Sequence, residues 1–204
     1  YRGDMQIIRW LVSPKSKINL LSKWKIFDNL RRPLLDVVAL LAIILSCFIS
    51  TKAFATTCLL VFVAINFGNI ISIFDVLLFG KIRHSKEVQY IPIIHGIDAN
   101  FLTMCFNFVT IPYKSYICLN AFIKSLYRMI ISHKNLLQWT TGEMLDKASK
   151  NTLRYYYFNM LPNVIIGLFI MFIPFFPSSI GLDIYFDFKI FIGIAMVISP
   201  IFAY

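Results

Sequence analysis

Three residues with specific chemistry stand near the start of the chain, ahead of a long apolar sequence. Gln6, Arg9 and Trp10 form a Q-x-x-R-W pattern, and the spacing of three places Gln6 and Arg9 on one face of a helix. A guanidinium pairs with phosphate oxygens, an indole stacks on a sugar ring, and an amide forms hydrogen bonds with hydroxyl groups. Together the three side chains are suited to binding a phosphorylated sugar.

The same residues also have a simpler interpretation. Arg and Trp beside a membrane segment are ordinary anchors at the lipid–water interface. A pattern with three fixed positions also occurs by chance, so the spacing alone leaves both interpretations open.

The composition is that of an integral membrane protein. Of the 204 residues, 58% are hydrophobic and 15% are charged, and the mean hydropathy is +0.72. Such a chain is too apolar for a soluble domain of this length. It begins at Tyr1 with neither an initiator Met nor a signal-peptide layout, and it ends in apolar residues. We therefore expect a segment of a longer polypeptide.

The apolar runs predict an all-α fold of multi-pass transmembrane helices with amphipathic interfacial helices. Four transmembrane spans are predicted, at residues 33–50, 53–79, 155–176 and 188–204. The short connection at Thr51 and Lys52 predicts that the first two form a helical hairpin. Lys189 is expected to snorkel from the edge of the fourth span, and Pro200 to kink or end it.

Two further segments mix basic and apolar residues. Residues 13–32 predict a basic interfacial helix, with a polar linker as the alternative. Residues 81–154 predict a cytoplasmic or interfacial region, in which 99–111 is short for a span and Pro112 marks a break. After the break, 113–133 predicts an amphipathic helix, and a kinked pair of true spans is the alternative. Its apolar face would hold Leu119, Phe122, Ile123, Leu126 and Ile130.

The basic residues predict the orientation. The net charge is +10, yet Lys and Arg flank apolar spans, so no nucleic-acid partner is expected. Eight Lys or Arg precede the first span, ten lie between the second and third, and Lys52 and Lys189 stand in the other connections. The positive-inside rule makes the N-terminal side cytoplasmic.

No metal site is expected within this sequence. The cysteines lack C-x-x-C spacing and the histidines are far apart, at Cys47, Cys58, Cys105 and Cys118 and at His84, His95 and His133. We interpret the cysteines as small apolar residues.

The pattern at the start of the chain resembles that of a known enzyme group. Q-x-x-R-W closes the glycosyltransferase domain of membrane-embedded processive synthases such as cellulose, chitin and hyaluronan synthases, where it directly precedes interfacial and transmembrane helices. With Arg2-Gly3-Asp4 in front, the longer pattern R-G-D-x-Q-x-x-R-W resembles the cyclic β-1,2-glucan synthases. Residues 1–12 then resemble the end of a glycosyltransferase domain.

Two later stretches resemble the same synthases. Their segment P-Y-x-A-Y-x-x-x-D-A-x-x-R-T-L-Y-R-x-x-I-S-x-x-x-L-L-E-W-x-T is similar to residues 112–141, and their ending S-P-x-x-A-Y is similar to residues 199–204. The departures of this chain from the longer pattern include Ser115 for Ala, Asn120 for Asp, Lys124 for Arg and Gln138 for Glu.

The resemblance implies a hexosyltransferase that polymerises glucose from UDP-glucose into a β-glucan, in the inner membrane of a bacterial-type cell. Arg9 would pair with the donor diphosphate or the departing UDP, Trp10 would stack on the acceptor sugar, and Gln6 would orient one of them. Arg2 and Asp4 would hold this helix in place. No catalytic residue is expected in this segment, which would be inactive alone. The catalytic base and a D-x-D motif for a divalent cation, Mg or Mn, would lie upstream in the same polypeptide.

Polar residues in the second predicted span allow a rival function. Asn66, Asn69 and Asp75 would either line a path for the glucan or serve structure, with the two amides tying helices together and Asp75 lying at the headgroups. The rival is a small transport or channel-like bundle, and a membrane anchor without catalysis is a third possibility.

Overall fold

The computed structural model describes residues 7, 8, 11, 18–79, 90–134, 152–173 and 184–204, without the side chains of 75–79, 90–95 and 184–186. Within these ranges the chain is helical and contains no strand, which confirms the all-α prediction. The helices are α1 Leu20–Ser46, α2 Thr51–Ile65, α3 Phe67–Phe79, α4 Tyr90–Val109, α5 Ile111–Tyr127, α6 Leu153–Asn159, α7 Leu161–Phe172 and α8 Ile184–Ala203.

Helix α1 is longer than the sequence predicts. It continues through Pro33, the residue at which the pattern predicted that a new span would begin. An interior proline removes one backbone hydrogen bond, but Asp28 supports the turn before it by accepting hydrogen bonds from Arg31 (2.9 Å) and Arg32 (3.0 Å). Pro33 itself is buried. The described part of the basic segment and the first apolar segment therefore form one helix.

Two other predicted spans are each made of two helices. Helices α2 and α3 are separated by Asn66 and bend by 65°, and α6 and α7 are separated by Met160 and bend by 67°. Among the described residues, no single helix has both the length and the apolar character to cross a membrane. When the two helices of a bent pair are counted as one segment, each of these pairs is long and apolar enough to cross a membrane.

The predicted break near Pro112 is confirmed, because α4 ends at Val109 and α5 begins at Ile111. Pro112 lies in the first turn of α5, where a missing N–H group removes no helical hydrogen bond. After α5 the chain forms a π-helical turn, Arg128–Ser132. It ends at His133, whose φ of 48° is left-handed and whose N–H group donates to the Arg128 carbonyl.

The face of α5 that packs in the bundle is not the one that carries the larger apolar residues. The face buried in the bundle carries mostly small side chains, and its residues are Ile111, Pro112, Ser115, Cys118, Ala121 and Ser125. By contrast, Leu119, Ile123 and Ile130 of the predicted face are 41%, 62% and 68% exposed. Small side chains let α5 and α1 approach closely, as is common where helices pack inside membranes.

The core lies where α1, α2 and α8 meet α4, α5 and α7. Its centre is formed by fully buried apolar residues, among them Ile43, Phe54, Ile111, Ile170 and Met196. Phe62 and Phe108 make an edge-on aromatic contact beside it, with centroids 5.7 Å apart.

Helices α7 and α8 cross at two glycines. A Cβ atom added at Gly167 would lie 2.7 Å from the carbonyl oxygen of Gly193, and one added at Gly193 would lie 2.9 Å from that of Gly167. Only residues without a side chain allow this approach.

The prediction for Lys189 is wrong. Its side chain is fully buried instead of snorkelling from the helix edge, and its ammonium donates to the backbone carbonyl of Ile173. That carbonyl follows the end of α7, where helix geometry provides no backbone partner. Pro200 does not end α8, because the helix runs through it to Ala203.

Candidate functional site

The residues predicted to bind a sugar phosphate lie outside the described residues. This applies to Gln6, Arg9 and Trp10 and to the supporting residues Arg2 and Asp4, so their roles stay predictions. Leu11, which follows Trp10 directly, is described. It lines an open groove with Leu20, Leu21, Lys23, Trp24 and Phe27. Leu11 therefore lies beside the first two turns of α1.

Asn66 ties three helices together at the break between α2 and α3. Its side chain is fully buried. Its Nδ2 donates to the carbonyls of Phe62 (3.0 Å) and Met104 (3.2 Å), and its Oδ1 accepts from Asn107 (3.4 Å). Of the two roles that the sequence left open for Asn66, these bonds fit the structural one, because both ends of the amide are engaged by protein groups.

The polar contact continues from Asn107 to a charged residue. The Asn107 Oδ1 accepts a hydrogen bond of 2.8 Å from the ammonium of Lys114, which is half-buried in the first turns of α5. Burial lowers the pKa of Lys114, and the nearby carboxylate of Asp36 acts in the opposite direction. Asn107 did not stand out in the sequence; the available signal was an amide within the apolar run 99–111.

The roles of the other two candidates for a polar path stay predictions. Asn69 is half-buried, and its side chain forms no hydrogen bond with the described part of the chain. Asp75 belongs to α3, but its side chain lies outside the description. The structure thus links Asn66 to Asn107, and Asn107 to Lys114, by hydrogen bonds.

Asn163 is the second buried amide, and it spans the break between α4 and α5. Its Oδ1 accepts from the backbone N–H of Tyr113 (2.8 Å), and its Nδ2 donates to the carbonyl of Val109 (3.2 Å) and to Ser199 Oγ (2.8 Å). Both backbone groups lie at helix ends, where intrahelical partners are missing. The amide therefore provides hydrogen-bond partners for backbone groups at the end of α4 and the start of α5. Its bond to Ser199 joins both helices to α8.

Asn163 also joins the two stretches that carry the resemblance. Tyr113 belongs to the P-Y-x-A-Y pattern and Ser199 begins the S-P-x-x-A-Y pattern, yet Asn163 lies outside both. Ser115, which replaces the Ala of the pattern, donates a hydrogen bond of 2.8 Å to the backbone carbonyl of Asp36. This departure therefore adds a tie between α5 and α1.

The buried network is suited to holding helices in place. Among the described residues, every buried side-chain nitrogen and oxygen has a hydrogen-bond partner, and no group of three His, Cys, Asp or Glu could hold a metal ion. A saturated network of amides and hydroxyl groups stabilises one arrangement of the helix breaks. In this part of the chain the arrangement supports the positioning of the helices.

These features define an apolar, all-helical bundle whose helix breaks are held by buried amides. No protein-family model matches the chain. Over 158 residues it is 25% identical to the cyclic beta-(1,2)-glucan synthase NdvB of Rhizobium meliloti (strain 1021). The aligned region is 76% of this chain and 6% of that protein, so the chain spans a small fraction of its relative's length. The match shows a distant relationship and suggests a glycosyltransferase-related role.

Proposed function

We propose that this chain is the membrane-embedded C-terminal part of a processive glycosyltransferase that polymerises glucose from UDP-glucose into a β-glucan, of the cyclic β-1,2 type. The observation that carries the proposal is the alignment of 76% of the chain with a cyclic glucan synthase. The Q-x-x-R-W pattern at residues 6–10 adds to it, because Gln6, Arg9 and Trp10 suit a nucleotide-sugar donor and a sugar acceptor.

The outer surface of the bundle supports a membrane location. Large apolar side chains on several helices are more than half exposed, and they include Leu41, Leu45, Phe48, Leu59, Leu60, Phe67, Phe101, Leu102, Phe172 and Phe191. In water such a surface costs about 25 cal/mol for each Å² left exposed. A lipid environment removes this cost, and the basic residues between the spans favour an inner membrane with a cytoplasmic N-terminus.

In the proposed enzyme the bundle holds the Q-x-x-R-W helix against the inner leaflet. Leu11 contributes to the groove that Trp24 and Phe27 line on the first turns of α1. Lys23, Lys25, Arg31 and Arg32 lie along the same half of α1, where anionic headgroups attract them. Arg9 and Trp10 would then face the cytoplasmic pool of UDP-glucose.

The remaining chemistry belongs to the rest of the polypeptide. A divalent cation, Mg or Mn, held by an upstream D-x-D motif would neutralise the diphosphate, and an upstream carboxylate would act as the base. Gln6, Arg9 and Trp10 would bind and orient the reactants, while Arg2 and Asp4 would hold their helix. The partners of this segment are therefore UDP-glucose, the growing glucan, the lipid bilayer and the other domains of the same protein.

The test is incorporation of radiolabelled glucose from UDP-glucose by membranes that contain the full-length protein. Arg9→Ala and Trp10→Ala should each reduce the rate by about 100-fold or more, as expected when a contact made in the transition state is removed. Arg154→Ala, which removes an exposed arginine from α6, is the control and should keep the wild-type rate. Wild-type incorporation by both test variants would contradict the proposal.

A further inference from the structure

Four tyrosines from three separate segments lie near one another in the bundle. Tyr113 lies in the first turn of α5, Tyr155 and Tyr156 belong to α6, and Tyr204 directly follows α8. The rings of Tyr156 and Tyr204 meet edge to face, with centroids 5.8 Å apart and planes at 76°. Those of Tyr155 and Tyr156 are 6.1 Å apart at 88°. Tyr113 is close enough to Tyr155 for the two phenols to influence each other.

The cluster is fixed at its base and open at its surface. The backbone of Tyr113 is held by the Asn163 amide at 2.8 Å. Tyr113, Tyr155 and Tyr156 are half-buried, and Tyr204 is 60% exposed. The rings therefore have a defined arrangement and keep part of their surface available to a ligand.

The hydroxyl group of Tyr113 carries no charge. Burial raises the pKa of Tyr113, and the phenol of Tyr155 raises it further, so the hydroxyl group stays protonated at neutral pH. The nearest cation along α5, the ammonium of Lys114, donates to Asn107. A protonated hydroxyl group offers hydrogen bonds without a charge, which suits an uncharged ligand.

Phenol rings suit one class of uncharged ligand particularly well. A tyrosine ring presents an apolar face to the C–H groups of a pyranose, and its hydroxyl group donates and accepts hydrogen bonds. The steep angles between neighbouring rings form a corner, in which a sugar can contact the face of one ring and the edge of the next. Rings in an aromatic belt that only anchors the bundle need no contact with one another.

We propose that Tyr113, Tyr155, Tyr156 and Tyr204 form a binding site for the glucose rings of a β-glucan chain. The inference rests on the proposed function for its ligand class. It adds a site that lies away from the Q-x-x-R-W residues in sequence and that includes one residue, Tyr113 or Tyr204, from each of the two stretches that resemble glucan synthases. Such a site would retain the growing chain between additions.

The experiment measures binding of a linear β-1,2-linked gluco-oligosaccharide to the full-length protein in nanodiscs, by saturation-transfer NMR and calorimetry. Tyr156→Ala and Tyr204→Ala should each weaken binding by about fivefold to tenfold. Tyr156→Phe should lose less affinity than Tyr156→Ala, because the face of the aromatic ring remains. Tyr127→Ala is the matched control, since Tyr127 is 54% exposed and lies at the far end of α5; it should bind like the wild type.

The outcomes separate this inference from the proposed function. Weakened binding in the cluster variants, with unchanged binding of UDP-glucose, supports the tyrosine site. Equal binding by the wild type, Tyr156→Ala and Tyr204→Ala, or no binding by the wild type, would overturn it even if glucose incorporation is normal. Because Tyr204 is exposed, its substitution tests the site without disturbing the core. A protein that binds the oligosaccharide through these tyrosines but incorporates no glucose would overturn only the proposed function.

Discussion

The side chain of Asn163 accepts a hydrogen bond of 2.8 Å from the backbone N–H of Tyr113, across the break between α4 and α5. The same amide donates to the Val109 carbonyl and to Ser199, so one residue satisfies two helix ends and ties them to α8. This relationship fixes the position of Tyr113 relative to the C-terminal end of the chain.

Asn163→Ala should destabilise the protein by about 2–5 kcal/mol, because it leaves a buried N–H and a buried carbonyl without a partner. Thermal unfolding in detergent, followed by size-exclusion chromatography, measures the loss. Asn69→Ala is the control, since the Asn69 side chain makes no hydrogen bond with the described residues. Equal stability of the two variants would show that the amide does not hold the break.

Gly167→Ala should destabilise the contact between α7 and α8. The new Cβ would lie 2.7 Å from the Gly193 carbonyl oxygen, so the two helices must move apart at a cost of about 1–3 kcal/mol. In the control Gly68→Ala, the added Cβ has no atom within 4 Å, so this variant should lose no stability. A Gly167→Ala protein that unfolds at the wild-type temperature would contradict the close crossing.

Lys114→Met should change how stability depends on pH. Because the folded pKa of Lys114 lies below its ordinary value of 10.5, the unfolded chain binds more protons between those two values. Stability therefore rises with pH across that window, and the gain is complete above the unfolded pKa. Lys114→Met should flatten this rise, whereas Lys124→Met, which removes an exposed lysine from the same helix, should leave it unchanged. Denaturant unfolding between neutral and alkaline pH measures the free energy of unfolding. If it rises equally with pH in the wild type and both variants, Lys114 does not have the buried position described.

The features that could be predicted from the sequence are those set by local pattern. Apolar runs give helices, and Pro112 is accommodated in the first turn of a helix, so the break before α5 follows from the sequence alone. Pro33 has the same local chemistry but lies inside α1, where it is buried against the bundle. Tertiary packing decides whether a proline begins a helix or lies inside one, and this packing cannot be read from a single sequence.

The parts that could not be predicted depend on partners distant in the sequence. Lys189 can be buried because its ammonium donates a hydrogen bond to the Ile173 carbonyl at the end of α7. The buried face of α5 carries Ser115 and Ala121 in place of the larger apolar residues because α1 approaches closely there. Asn163 belongs to no recognisable pattern, yet it joins two patterns that the sequence did reveal.

Photolabelling by an azido derivative of UDP-glucose, performed on the full-length protein in sealed inner-membrane vesicles of both orientations, tests the central proposal most directly. Label added outside should react in inverted vesicles, whose cytoplasmic face is exposed, and not in right-side-out vesicles. Arg9→Ala and Trp10→Ala should reduce the labelling, and Arg154→Ala should not. Labelling only from the periplasmic face, or labelling that is independent of Arg9 and Trp10, would contradict a donor-binding helix on the inner leaflet.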